Sequence, residues 1–289
     1  MLSHRQRSRL LPYLYLLPCL ILIAAILLYP VLVGIYTSLL DRDMFTLEGA
    51  FVGLRNFRRL SDEPVFLLAL GNTLWWTGTV VVGQYVLGLM LALLLNEDVR
   101  GRFVFRALIL VPWVVPLAVA AVAWKWIYAE YYGILNHILR SLGIIQHNVA
   151  WLANHETAMW SVIAVGIWKG IPFVAIVLLA ALQSIPREEY EAAMIDGAGS
   201  LQSFIHITLP NLRGISFIVI VLTTIWNFNQ FDLTHILTRG GPGNATQLLS
   251  TYTYQLFFSA FQFSFAAAVA VVMLVVLMCL TVIYIRRII

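Results

Sequence analysis

The chain has 289 residues, of which 61% are hydrophobic and 11% are charged, and its formal net charge is +4. Soluble domains contain about 25% charged residues, so this composition excludes an ordinary globular protein and indicates a polytopic membrane protein. The basic residues form no stripe interleaved with aromatic residues, which excludes a nucleic-acid-binding surface.

Six apolar runs are long enough to cross the hydrocarbon core of a bilayer, which is about 30 Å thick and needs about 20 helical residues. They cover residues 12–38, 68–96, 104–128, 157–182, 212–238 and 258–285. All six are predicted to be helices, because a backbone group left unpaired in lipid is too costly. The predicted fold class is therefore all-α, a polytopic membrane protein with six transmembrane helices.

The distribution of basic residues predicts how these helices are oriented. With both termini in the cytoplasm, ten Lys and Arg residues lie inside and seven lie outside. Arg5, Arg7 and Arg9 precede the first run, as in a signal peptide. That run is too long for a signal peptide and contains no small-residue cleavage site, so the first helix is predicted to be retained. Cys19 and Cys279 lie within apolar runs and imply neither a disulfide framework nor a metal site.

The first helix and the polar loop that follows it stand apart from the other five runs. We therefore predict two parts: residues 1–67, with the N-terminal tail, the first helix and an outer loop, and residues 68–289, a transmembrane core. Prolines that interrupt the apolar runs indicate either structural kinks or the mid-membrane breaks that mark transport sites. They are Pro30, Pro112, Pro116 and Pro172.

A polar stretch at residues 184–210 separates the fourth run from the fifth and predicts two short helices joined at a sharp turn. Pro186 suits the first position of the first helix, and Gly197 can adopt the left-handed conformation that closes it. Ser200 is suited to cap the second helix, and Pro210 is predicted to end it. An apolar face on the second helix suits docking into a groove on a soluble partner. Its residues are Leu201, Phe204 and Ile205.

The same stretch contains a spaced pattern: EAA, three residues, Gly, nine residues, Ile, one residue, Leu-Pro. The matching residues are Glu191, Ala192, Ala193, Gly197, Ile207, Leu209 and Pro210, and Asp196 and Ala198 complete a DGA triplet. This pattern resembles the EAA loop of permease subunits in binding-protein-dependent ABC importers. The resemblance implies a type I ABC importer permease fold. It also implies that six residues couple the chain to an ATPase: Glu191, Ala192, Ala193, Asp196, Gly197 and Ala198.

Motifs that would indicate an enzyme are missing from the sequence. There is no phosphate-binding loop with a Gly-Lys-Ser or Gly-Lys-Thr end, and there is no HExxH or cysteine cluster that would hold a metal. The six histidines are scattered without ligand spacing. We therefore expect no catalytic residue, no metal and no cofactor. A membrane enzyme would need clustered acid–base residues, and an ion channel would need a filter or charged rings.

Polar residues inside the spans are candidates for a transport pathway, because an ionisable group in a bilayer faces a cavity or a partner. Asn227 and Gln230 are three residues apart and are predicted to share one helix face, with Asn229 and Asp232 on another. Lys169 lies near the middle of the fourth run. Its charge can be answered by Asp232, by carbonyls at a helix end, or by an anionic group on a substrate.

The resemblance is to the maltose-type carbohydrate permeases, and it implies a sugar site on the third, fourth and fifth spans. The residues carried over are Trp113, Lys169, Gly170, Phe173, Thr223, Asn227 and Gln230. Trp113 is either a stacking platform or an ordinary core residue. Leu117 and Gly166 stand where polar side chains would extend a maltose-type site, which argues against maltose itself.

The resemblance also implies an assembly in the bacterial inner membrane. Its members are a second homologous permease, two ATPase subunits and an extracytoplasmic binding protein that delivers a sugar or a sugar derivative. Loops 129–156 and 239–247 either meet the binding protein or serve as plain connections. The alternative is a permease for a non-sugar solute, such as glycerol-phosphate, an amino acid or another small anion.

Overall fold

The computed structural model describes residues 15–42, 49–97 and 101–286, and helices make up most of them. In chain order the elements are α1 (Tyr15–Ser38), β1 (Leu40–Arg42), β2 (Gly49–Phe51), α2 (Arg55–Asp62), α3 (Pro64–Asn96), α4 (Arg102–Val114), α5 (Leu117–Ile127), α6 (Ile134–Ser141), α7 (His155–Leu182), α8 (Arg187–Ile195), α9 (Ser200–Phe228), α10 (Asp232–Leu237), α11 (Leu249–Tyr254) and α12 (Phe263–Arg286). The two strands form a short antiparallel hairpin.

Five of the helices are long and apolar enough to cross a membrane: α1, α3, α7, α9 and α12. The pair α4 and α5 meets the same criteria together and provides a sixth span if the two helices are counted as one. The all-α membrane fold is thus confirmed for the described residues. The basic N-terminal tail and the predicted start of the first span at residue 12 lie outside them.

The third span is broken, whereas the sequence predicts a continuous helix over 104–128. α4 ends at Val114 and α5 starts at Leu117, with a bend of 93° between them. Val115 is extended, with ψ of 129°, because the ring of Pro116 disfavours a helical conformation at the residue before it. Pro116 also has no N–H with which to continue the helical hydrogen bonds.

The fifth span starts earlier and ends earlier than the predicted 212–238. α9 begins at Ser200, so the second helix of the polar stretch and the fifth span are one helix. Pro210 therefore does not end a helix, and that prediction is wrong. A π-helical turn at Phe204–Thr208 precedes this proline, and the wider turn gives room for a ring that would clash with the preceding turn of a regular helix.

The chain divides into two compact units, and the first comprises residues 1–64 and 253–276. Within it, the side-chain amide of Asn56 donates to the carbonyl oxygens of Ser38 and Leu40, at 2.8 Å each. Arg59 lies over the ring of Phe265, 4.3 Å from its centre. These contacts hold the hairpin segment and the start of α12 together within this unit.

The second unit comprises residues 65–252 and 277–289 and contains two hydrophobic clusters, both built on α7. One cluster places Trp76 of α3 with Val162 of α7 and Leu233 of α10. The other places Leu178 of α7 with Leu212 of α9. α7 is apolar on nearly all sides, as expected for a helix enclosed by others. It is the element against which the rest of this unit packs.

Candidate functional site

A cavity of about 170 Å³ lies within the second unit, at the break between α4 and α5 and against α3, α7 and α9. Its lining residues are Trp76, Gln84, Trp113, Leu117, Gly166, Lys169, Gly170, Phe173, Thr223, Trp226, Asn227, Gln230 and Leu233. All seven predicted substrate-site residues line this one cavity. Four others were not predicted from the sequence: Trp76, Gln84, Trp226 and Leu233.

Three aromatic side chains form one wall of the cavity. Trp113 and Phe173 are stacked, with ring centres 6.3 Å apart and planes inclined by 28°. Trp226 meets Phe173 edge to face, at 4.9 Å. Trp113 and Trp226 each keep about half of their surface exposed, at 50% and 52%. Such rings offer flat apolar faces to a ligand, which favours the stacking platform over the core role for Trp113.

Buried amides form the polar part of the cavity lining. The Asn227 amide nitrogen donates to Gln84 Oε1 at 3.2 Å and to the Thr223 carbonyl at 2.8 Å. The Gln84 amide nitrogen donates to the Gly166 carbonyl at 3.0 Å. Trp76 Nε1 donates to the Asn227 carbonyl at 3.0 Å. These bonds leave the Asn227 side-chain oxygen without a donor from the described residues, so it is free to accept one from a ligand.

Gln230 lies in the break between α9 and α10. α9 ends at Phe228, so the prediction that Asn227 and Gln230 share a helix face is wrong, although both line the cavity. The Gln230 side-chain nitrogen is buried and has no acceptor among the described residues. A buried donor left unpaired costs about 1–3 kcal/mol. Gln230 therefore contributes an unpaired donor to the lining of the cavity, and Asn227 contributes an unpaired acceptor.

Lys169 caps the broken end of α4. Its ammonium group donates to the carbonyl oxygens of Pro112 at 2.7 Å, Trp113 at 3.1 Å and Val115 at 2.6 Å. The last carbonyls of a helix lack partners within it, and a cation at this end is also favoured by the helix dipole. Of the three partners that the sequence allows for this charge, the helix-end carbonyls are the ones in contact. No carboxylate of the described residues, Asp232 included, lies within ion-pair distance.

Two glycines of α7 allow α3 to approach closely. A Cβ at Gly170 would collide with the side chain of Gln84, and one at Gly166 would collide with the ring of Trp76. Gly166 is therefore required by packing, and an amide at this position would displace Trp76. The same close approach places Gln84 where it can bond to both Gly166 and Asn227.

The polar stretch forms a helical elbow, which we define as residues 186–211. Gly197 has φ of +82°, which confirms the left-handed residue predicted to close α8. The helix starts are each displaced by one residue from the prediction: Pro186 caps α8 instead of starting it, and Gly199 takes the cap position that was predicted for Ser200. The Gln202 side-chain oxygen accepts a hydrogen bond from the Gly199 N–H at 2.9 Å, which satisfies the backbone donor of the cap residue.

Two side-chain hydrogen bonds tie α8 to the first turns of α9. The Tyr190 hydroxyl lies 2.9 Å from the Thr208 hydroxyl, and Asn211 donates to the Glu189 carboxylate at 2.9 Å. Of the predicted coupling residues, Glu191, Ala192, Asp196 and Gly197 are exposed and Ala193 and Ala198 are half-buried. Large apolar side chains are exposed beside them: Met194, Ile195, Leu201 and Ile205. Of the predicted apolar face, Leu201 and Ile205 are thus exposed, and Phe204 is half-buried.

Comparison with known proteins finds one matching family and several similar chains. The family described as binding-protein-dependent transport system inner membrane component matches residues 84–289. The chain is 35% identical over 283 residues to the trehalose/maltose transport system permease protein MalF of Thermococcus litoralis, which covers 98% of this chain and 95% of that protein. It is 36% identical over 280 residues to the sulfoquinovosyl glycerol transport system permease protein SmoG of Agrobacterium fabrum, covering 96% and 90%.

A solved structure shows the same fold. It is the crystal structure of a bacterial alginate ABC transporter in complex with an alginate pentasaccharide-bound periplasmic protein. One of its chains matches with a TM-score of 0.79 and 26% identity, covering 97% of this chain and 94% of that chain. The likeness therefore extends from α1 to α12.

The contact between Gly170 and Gln84 gives a prediction about stability. Gly170→Ala should displace Gln84 and break its two hydrogen bonds, at a cost of roughly 2–4 kcal/mol. The melting temperature of the protein purified in detergent, followed by tryptophan fluorescence, should fall by several degrees. Gly214→Ala on α9 is the control, because a Cβ there meets no atom within 4 Å. Equal melting temperatures for the two variants would contradict the proposed packing role.

Proposed function

The chain belongs to the family of binding-protein-dependent transport system inner membrane components, and from this premise we propose that it is the permease subunit of an ATP-driven importer for a sugar or a sugar derivative. The observation that carries the proposal is the cavity, in which an aromatic wall faces free amide groups at a break in a membrane span. This protein forms part of the path and performs no chemistry itself.

The composition of the cavity fits a sugar ring. The C–H faces of a sugar stack on aromatic rings, which Trp113, Phe173 and Trp226 provide. Its hydroxyl groups both donate and accept hydrogen bonds, and Asn227 and Gln230 offer one acceptor and one donor. The relatives support the same class, because their names refer to trehalose and maltose, to a sulfoquinovosyl glycerol and to alginate.

A non-sugar solute is the second candidate. Lys169 lines the cavity, and its charge would suit glycerol-phosphate, an amino acid or another small anion. A small anion without a ring would make no stacking contact with the aromatic wall, however. The three aromatic residues therefore favour a sugar, and the charge of Lys169 is compatible with an acidic one.

The exposed elbow supports partners on the cytoplasmic side. Monomeric proteins seldom expose a group of large apolar side chains such as Met194, Ile195, Leu201 and Ile205. We assign this surface to one of two ATPase subunits. A second, homologous permease would complete the pathway, and an extracytoplasmic binding protein would deliver the substrate to the opposite side. Closure of the ATPase dimer would then move the elbow and, through α9, the wall of the cavity.

Two glycines of the elbow give a test of coupling. A Cβ meets no atom within 4 Å at either Gly197 or Gly199, but only Gly197 has a positive φ, +82°. Gly197→Ala should therefore cost about 1–2 kcal/mol and disturb the elbow, whereas Gly199→Ala should be tolerated. In the assembled transporter, substrate-stimulated ATP hydrolysis should fall roughly fivefold or more in the first variant and stay near the wild-type rate in the second. Wild-type stimulation in both variants would argue against docking by the elbow.

Two neighbouring amides give a test of the cavity. Gln230→Ala removes the free donor without breaking any hydrogen bond of its side chain among the described residues, and uptake should fall up to roughly tenfold. Asn229→Ala is the control, because Asn229 is exposed, bonds to the Ile225 carbonyl and does not line the cavity. The measurement is the initial uptake rate, in proteoliposomes, of the radiolabelled sugar that the binding protein delivers. If both variants transport at the wild-type rate, the ligand does not contact Gln230.

A further inference from the structure

We propose that the cavity selects a sugar derivative that carries an acidic group, because Lys169 gives the cavity a positive charge that nothing in the described part of the chain neutralises. The proposal rests on the proposed function and names its substrate class.

The hydrogen-bond partners of Lys169 favour its charged form. Its nitrogen lies within 2.6–3.1 Å of three carbonyl oxygens, and a carbonyl oxygen can only accept. Three such bonds need three N–H groups, which an ammonium has and a neutral amine does not. The carbonyls therefore hold Lys169 in its cationic form.

None of the described residues supplies a counter-ion for this charge. Lys169 alone carries an ionisable side chain among the lining residues that the structure describes. Asp232 is exposed at the start of α10 and does not line the cavity. Helix dipoles do not remove the charge either: the C-terminal end of α4 contributes about −0.5 of a charge, and the N-terminal end of α5, two residues further on, contributes about +0.5. Close to one positive charge remains.

A ligand with an acidic group would balance the charge of Lys169 and accept a hydrogen bond from the unpaired amide of Gln230. All three N–H groups of Lys169 donate to carbonyl oxygens at or just after the end of α4. Lys169 therefore attracts a ligand through its electrostatic field and not through a hydrogen bond. Gln230 lines the same cavity with an unpaired N–H group, and a carboxylate or sulfonate accepts such a bond. A neutral sugar would satisfy Gln230 but would leave the charge of Lys169 unbalanced in a half-exposed site lined mainly by aromatic and apolar groups.

Substitution of Leu117 can change the electrostatic field in the cavity while Lys169 is left in place. It lines the cavity as the first residue of α5 and is half-buried. Leu117→Glu adds a negative charge to the wall, and Leu117→Gln adds a side chain of the same shape without the charge. The two variants separate the effect of the charge from that of the capping bonds. Lys169→Met, by contrast, removes both the charge and the cap of α4.

The first measurement reports the electrostatic field in the cavity from the reactivity of a thiol, and it does not depend on which sugar is bound. In a Cys19→Ser, Cys279→Ser background, Trp226→Cys places a thiol in the cavity wall. Its reaction rates with an anionic reagent, sulfonatoethyl methanethiosulfonate, and a cationic one, trimethylammonioethyl methanethiosulfonate, are each divided by the rate with a thiol in solution. In the assembled transporter the anionic reagent should be favoured roughly tenfold, as expected for one charge at a half-exposed site. Leu117→Glu should abolish the preference and Leu117→Gln should keep it.

The second measurement compares two probes that differ in one group, methyl glucoside and methyl glucuronide, by calorimetry on the same complex without its binding protein. The wild-type and Leu117→Gln complexes should bind the glucuronide roughly tenfold more tightly, and Leu117→Glu should bind the two probes alike. If the wild-type complex binds both probes equally and its thiol shows no preference for the anionic reagent, the acidic substrate class is wrong while the sugar class stands. If neither probe binds although the thiol prefers the anionic reagent, the sugar class fails and a small anion replaces it.

Discussion

The capping of α4 by Lys169 is the interaction on which the rest of the site depends. A span broken inside a membrane exposes carbonyls that water cannot satisfy, and irregular backbone at this depth is tolerated only where protein or a polar cavity meets it. One side chain of α7 satisfies three of these carbonyls. It thereby holds the break open and keeps Trp113, the residue before the end of α4, against Phe173 of α7. The cavity exists because this cap makes the break stable.

The amide network of Gln84 plays the corresponding role on the other side of the cavity. Gln84 of α3 reaches the backbone of α7 through Gly166 and the side chain of Asn227 on α9. Three helices are thus joined by a residue that is 4% exposed and whose side chain fits because Gly170 has none. Bonds of this kind between membrane helices contribute modestly one by one. Their main consequence is geometric, since they fix the Asn227 amide with its nitrogen bonded and its oxygen free to accept a hydrogen bond.

Sequence reasoning found the spans, the elbow glycine and the polar lining residues Lys169, Asn227 and Gln230, because long apolar runs, a left-handed glycine and polar residues within lipid are strong local signals. The full set of seven lining residues came from the resemblance to the maltose-type permeases. It missed Gln84, although a lone amide in an apolar run is the same kind of signal. Trp76 and Trp226 could not be separated from other span tryptophans, since their roles depend on helix packing. The continuity of α9 through Pro210 was also hidden, because the π-helical turn that accommodates the proline leaves no mark in composition.

That continuity provides a route from the elbow to the cavity. α9 has 29 residues, so at about 1.5 Å per residue it is roughly 44 Å long. Its first turns are bonded to α8 through Tyr190 and Asn211, and its last turn carries Thr223 and Asn227. If Pro210 ended a helix, a flexible joint would separate the elbow from the cavity. A movement of the elbow would then not be transmitted to the cavity. A continuous helix carries a tilt at one end to the other, so the amides of the cavity and the exposed surface of the elbow are coupled as parts of one body.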